Sequence, residues 1–385
     1  MSRSLTGLVL ASTLASLYSG TASAQFLGNF DAVNTTGYVA HGFEIELEGL
    51  DVSDITDTFG GLNRGFPTTV ERYGAPSILP YVNGAISGVR VTYQATYDAN
   101  TGRWLAPGGT FENLAISIGT PSATTFQTPG DNCWSGGGIG YSAGTPCDHF
   151  GVGTTRNPTK TTYSWLTEDP AAPGVLSKTV ATLPAPSWSV VFQPPPPPPA
   201  PNEPPPPPPP PPVVKAVIEA PELPDPVNGE PQFGTAIWVK VFTTELEQPE
   251  GLEGLMRGNL LNQGLALERR ADGTEIEWQL LQRDPGNPAA GMLELGGDVL
   301  NPNAEAVVRR YEFYEYLGVY KQSDHEAQPL LGDSHADPSE IGAFLGAQNA
   351  QAMLAAVPEP STLATMLVGL GLIGFLSRRR TRTGA

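Results

Sequence analysis

The chain has 385 residues, 39 of them acidic and 21 basic, for a formal net charge of −18. That acidic balance leaves no basic face for phosphate and excludes nucleic acid as a partner. Its 44 glycines and 40 prolines punctuate helices too heavily for an α protein, yet 39% hydrophobic residues suffice for packed cores, so the fold class reads as mainly β.

The N-terminus opens Met-Ser-Arg-Ser, with Arg3 as its only charge, and continues through the apolar stretch from Leu5 to Leu17 to Ala22-Ser23-Ala24. A basic start, a short apolar run and an Ala-x-Ala site make a secretory signal peptide over residues 1–24. Signal peptidase admits only small side chains at the third and first positions before its cut, which assigns those positions to Ala22 and Ala24. No cysteine follows the cut to carry a lipid.

Residues 25–193 read as a first β-rich domain. His41–Glu48 alternates apolar and charged residues strictly, as a strand with one buried face does, and Val89–Tyr97 does the same. Asp98-Ala99-Asn100-Thr101-Gly102 supplies turn chemistry before Arg103-Trp104, which predicts a hairpin. Leu114–Ile118 and Trp188–Phe192 are further strands. Short strands between Gly/Pro turns suggest a β-sandwich or a partly closed barrel. The only cysteines, Cys133 and Cys147, lie on either side of a glycine-rich turn at Gly136–Gly140. In an exported chain the simplest expectation is a disulfide, worth about 3 kcal/mol for a loop of this size. The alternative is a metal or catalytic site on Cys133, Cys147 and His149, but no fourth ligand is evident and the spacing fits no standard motif.

Pro194–Pro212 is all proline except Ala200, Asn202 and Glu203. Without amide donors and with φ fixed, it predicts a polyproline II rod of about 60 Å that joins two domains. Its other reading is a docking site for a proline-reading module.

A second β-sandwich-like domain follows over 213–327. Val213–Glu219 and Ala236–Phe242 are strand patterns, and Asp272-Gly273 turns into a third at Glu275–Leu280. Ala306–Tyr320 is one long strand or two joined at Gly318. Its aromatics Tyr311, Phe313, Tyr314 and Tyr316 fit either core packing or a glycan-stacking platform. Residues 328–356 read as a stalk, with a short helix from Pro338 to about Leu354 capped by Asp337 and started by Pro338 and Glu340.

Candidates for chemistry are sparse. His41, His149, His325 and His335 are far apart, and no metal centre or catalytic group is assigned. Calcium is a weak option at Asp51, Asp54 and Asp57 or at Asp298, Asn301, Asn303 and Glu305, since neither set matches the twelve-residue calcium loop. No nucleophile elbow, zinc-protease helix, phosphate-binding loop or dinucleotide fingerprint occurs.

The last segment, 357–385, is the most distinctive. Val357-Pro358-Glu359-Pro360-Ser361 leads into the uncharged run Thr362–Leu376 and then Ser377-Arg378-Arg379-Arg380-Thr381-Arg382. The run predicts a single apolar helix of roughly 22 Å at ~1.5 Å per residue, short for a hydrocarbon core of ~30 Å. Arg378, Arg379, Arg380 and Arg382 would stop it on the cytoplasmic side, while Pro358 and Pro360 keep the Pro-Glu-Pro tripeptide extended. Pro358, Glu359 and Pro360, the short helix and the arginine cluster together resemble the PEP-CTERM sorting tails. That resemblance implies recognition by an exosortase, an integral membrane protease-transpeptidase, in a Gram-negative bacterium that makes extracellular polysaccharide. It implies a membrane-anchored stage followed by release to, or attachment at, the outer surface or matrix. Setting aside the two ends, 16 basic residues face 38 acidic ones.

Two functions remain open on the sequence. One is a non-enzymatic surface or matrix protein whose β modules meet extracellular polysaccharide or a partner. The other is an extracellular carbohydrate-active hydrolase or calcium-dependent carbohydrate-binding module, whose carboxylates would come from separated strands.

Overall fold

The structure is a computed structural model, which describes residues 26–58, 73, 75–105, 147–191, 213–248, 271–287, 291–295 and 304–354. Among them the chain is mainly β, with nineteen strands. The first half supplies Phe26–Val33 (β1), Ala40–Glu48 (β2), Ile55–Thr58 (β3), Ser77–Asn83 (β4), Ile86–Gln94 (β5), Thr96–Asp98 (β6) and Arg103–Leu105 (β7). It continues with Cys147–Thr154 (β8), Thr161–Glu168 (β9), Leu176–Val180 (β10) and Pro186–Val191 (β11). The second half supplies Val213–Glu219 (β12), Ile237–Leu246 (β13), Ala271–Leu281 (β14), Met292–Leu295 (β15) and Ala306–Tyr316 (β16). Val319–Tyr320 (β17), Ala327–Gln328 (β18) and Ile341–Met353 (β19) complete it.

Three sheets enclose the main core. A seven-stranded sheet runs β14-β13-β16-β19-β1-β8-β3, a five-stranded sheet β10-β9-β2-β5-β4, and a three-stranded sheet β11-β12-β15. Phe30 and Phe150 on the large sheet meet Phe43 on the five-stranded sheet, with ring centroids 5.7 and 4.2 Å away. Further along the large sheet, Arg309 lies over the Trp188 ring of the three-stranded sheet at 5.2 Å. Apolar residues of all three sheets share one buried cluster. The expected hairpin at Asp98–Gly102 is present: Asp98 Oδ1 accepts the Asn100 amide, and Gly102 takes the left-handed φ of 69° that closes the turn.

The two expected domains are one body. Residues Ala24–Leu354 form a single compact unit, and the seven-stranded sheet mixes strands from both sides of the proline run. Val191 and Val213, which flank that run, are partners in the antiparallel β11–β12 pair. A segment whose two ends are anchored one strand spacing apart, about 4.8 Å, does not separate two bodies.

The expected helix after Pro338 is also corrected. Asp337 accepts the Ser339 amide, but only one 3-10 turn follows, Pro338–Glu340, and then the long strand β19. Gly342 and Gly346 disfavour a helix there. β19 is buried on both faces between β16 and β1, so its sequence shows no alternation to reveal a strand. Its alanines and glycines fit beside the large side chains of β16. At Gly346, with φ 148°, a Cβ would lie 2.5 Å from the Asp31 carbonyl oxygen.

Ala22 and Ala24 of the expected signal peptide, Leu114–Ile118, Cys133, the proline run, Asp298–Asn303 and the segment 355–385 lie outside the described residues. Among the described residues no helix is long and apolar enough to cross a membrane.

Candidate functional site

The large sheet buries charge on the face turned away from the main core. Phe30 and Ala32 of β1 point into that core, so Asn29 and Asp31 point the other way. Strand register places Asn349 between Asn29 and Arg310, and one step along it sets Asp31 beside His149 and Glu312 beside Lys240. Asn29, Asp31, His149, Asn349, Arg310 and Glu312 are all buried. Arg310 Nε donates to Glu312 Oε1 at 2.9 Å and its Nη1 to Asn349 Oδ1 at 3.2 Å, while the Tyr314 hydroxyl donates to Glu312 Oε2 at 2.9 Å. His149 Nδ1 and Asp31 Oδ1 form a second buried pair. The side-chain amide of Asn29 and Nη2 of Arg310 have no partner among the described residues. The seam is closed to solvent, and its hydrogen bonds tie β16 to β19 and β1 to β8.

The five-stranded sheet carries a second charged array at its solvent side. Glu46 accepts from Arg90 at 2.7 Å and from Lys178 at 3.1 Å. Burial alone would raise the Glu46 pKa, but the hydrogen bonds from Lys178 and Arg90 hold it below its ordinary value. Arg90 also lies 4.6 Å over the Tyr81 ring. Of the aspartates considered for calcium, Asp54 is committed elsewhere: it accepts from Arg156 Nη2 at 2.8 Å and from the Thr155 hydroxyl at 2.7 Å. Among the described residues no group of three or more His, Cys, Asp or Glu side chains is placed to hold a metal ion.

The four histidines are not brought together. His149 pairs with Asp31, His41 stacks on Trp104 with centroids 4.5 Å apart, His325 stacks on Tyr320 at 4.1 Å, and the Ser334 hydroxyl lies 3.0 Å from His335 Nδ1. The β16 aromatics resolve as core: Tyr311, Phe313 and Tyr314 are fully buried, and Tyr316 nearly so. Burial pushes the Tyr311 hydroxyl well up, and burial with the nearby Glu340 carboxylate lifts Tyr316 to about 12.

A cavity of about 260 Å³ opens between the end of β14, β15 and the chain around β18. Phe233, Gln279, Met292 and the carboxyl-bearing Asp284, Glu326 and Asp333 line it. Nothing in the sequence marks it, because its walls come from five separate stretches with no shared spacing.

The residues that the sequence singled out most sharply lie at the two ends. Leu354 is the last described residue, held by its amide to the Glu305 carbonyl at 2.7 Å. Two positions later a match begins: residues 356–380 fit the family described as the PEP-CTERM protein-sorting motif. The tail is a PEP-CTERM sorting motif. It takes in Pro358, Glu359, Pro360 and Arg378, Arg379 and Arg380, whereas Arg382 falls just beyond the match. A PEP-CTERM motif implies an exported protein with an exosortase as its processing partner. The match leaves the β body unassigned. No curated protein and no solved structure matches the chain.

Proposed function

We propose that this chain is a cell-surface or extracellular-matrix protein whose β body has a structural or binding role linked to extracellular polysaccharide. The observation that carries the reading is the PEP-CTERM motif directly following the last strand of the sheet. Signal peptidase removes residues 1–24, the arginines arrest the apolar run, and exosortase acts near Pro358–Pro360. The body then stays at the surface or in the matrix. Its acidic balance supports this role, since like charge keeps an exported protein soluble and disfavours self-association.

The test is the mature mass and location of the protein in host cells with and without the exosortase. Loss of the C-terminal segment and a surface or matrix location are expected only when the enzyme is present. Equal masses in both strains would refute the sorting step. Failure of the protein to sediment with the host's extracellular polysaccharide would refute the link to it.

A further inference from the structure

The cavity beside β14 and β15 has a lopsided chemistry. Three carboxyl-bearing residues line it, Asp284, Glu326 and Asp333. The Gln282 side chain is already consumed, donating to the Gly234 and His325 carbonyls at 2.8 Å each and accepting the Ala327 amide at 2.9 Å. Asp284 Oδ1 accepts the Gly286 amide at 2.7 Å, and Lys321 reaches Glu326 at 3.2 Å. Asp333 is exposed, and its backbone carbonyl, not its carboxylate, takes the Leu280 amide. The walls therefore offer acceptors in excess, together with two apolar surfaces, Phe233 and Met292. A ligand that satisfies them brings several hydroxyl or ammonium donors, one apolar face and no negative charge. At about 260 Å³ the cavity is smaller than the ~300–1,000 Å³ typical of drug-sized sites, which suits a single ring.

Its place in the fold is the second observation. Leu281 pairs with Ile237, and Ile237 with Glu315, at one end of the large sheet. Met353 pairs with Ala306, and Ala306 with Leu246, at the other. The cavity borders the first end, and the chain departs toward its sorting motif from the second. The ten residues of β13 between them span about 30 Å. At the cavity end Leu317, Val319, Leu330 and Leu331 are also largely exposed.

We propose that this cavity binds one sugar ring of a glycan, a neutral or amino sugar recognised by its hydroxyl or ammonium donors, and that it rejects uronic acids. The inference rests on the polysaccharide-linked reading and gives it a site. Carboxylates accept from the hydroxyls, Phe233 covers the C–H face of the ring, and the excess of carboxylates over the Lys321 ammonium repels a carboxylated sugar.

The experiment uses the protein released by its host, probed by saturation-transfer NMR with glucose, glucosamine and glucuronate. Signals are expected with the first two and not with the third. Phe233→Leu and Asp333→Asn should each weaken binding about tenfold, the scale of a lost hydrogen bond to a charged group or of a lost packing face. Asp333 is exposed, so its amide variant keeps the fold, and Tyr81→Ala on the five-stranded sheet should bind as the wild type does. Equal signals with glucuronate, no signal with any of the three sugars, or unchanged binding in both cavity variants would overturn the site. Sedimentation with the host polysaccharide separates the two ideas. If the cavity variants sediment as well as the wild type, the site falls and the broader reading stands; if the wild type itself stays in solution, both fall.

Discussion

Arg310 is a side chain whose removal has a calculable consequence. It is buried with Glu312 as a pair, and among the described residues the Tyr314 hydroxyl is the other donor to that carboxylate. Arg310→Met leaves an uncompensated buried charge and should cost about 3–5 kcal/mol of stability. Removing Glu312 as well should restore much of that loss, and denaturant unfolding of the single and double variants measures both. Asp54 makes the corresponding statement about pH. The hydrogen bond from Arg156, the Asp51 amide and the Thr155 hydroxyl lower its pKa from 3.8 to about 2. Folding thus favours the carboxylate, so its stabilising contribution is complete above the unfolded value and disappears as pH falls through the folded one. Asp54→Asn should flatten the stability curve between about pH 4 and pH 2. Urea midpoints should differ most above that window and converge below it; parallel curves throughout would sink the assignment.

Among the elements, the proline run changed its meaning most. Val191 and Val213 are strand partners, so residues 192–212 bridge a hairpin. Replacing them with a five-residue turn should leave one cooperative unfolding transition and raise stability by about 1 kcal/mol through the smaller closure entropy. A spacer between independent domains would instead give two transitions, which calorimetry distinguishes. Strands were legible where one face meets water: β2 alternates through Glu44, Glu46 and Glu48, and the Asp98–Gly102 turn announced its own hairpin. Partners were not legible, because a period of two names a face and never a neighbour. β19 hides for a related reason, since burial on both faces erases the alternation and its alanines mimic a helix. The same logic divides the sites. Pro358–Pro360 could be read because the motif is contiguous, whereas Arg310, Asn349 and Asn29 converge from three strands and Asp284, Glu326 and Asp333 from separate stretches of chain.

For the whole molecule, the decisive arrangement is that β1 and β19 are neighbours inside the large sheet, with Phe26 opposite Ala352. A chain ending at Glu340 should fail to fold cooperatively, since it exposes β16 and β1 on either side of a missing strand. A chain ending at Leu354 should fold as the mature protein does, and circular dichroism with amide exchange checks the pair. The sorting motif makes this neighbourhood a matter of timing. In an exported chain β1 crosses first, and its partner β19 crosses only after some three hundred further residues. Until then the large sheet has a gap at its centre and its buried charges lack part of their enclosure. The segment that exosortase reads comes directly behind the strand that fills the gap, so the enzyme meets its substrate only once every strand has arrived outside. Sorting at this end of the chain thereby acts as a receipt for complete delivery: a truncated chain lacks both the final strand and the address.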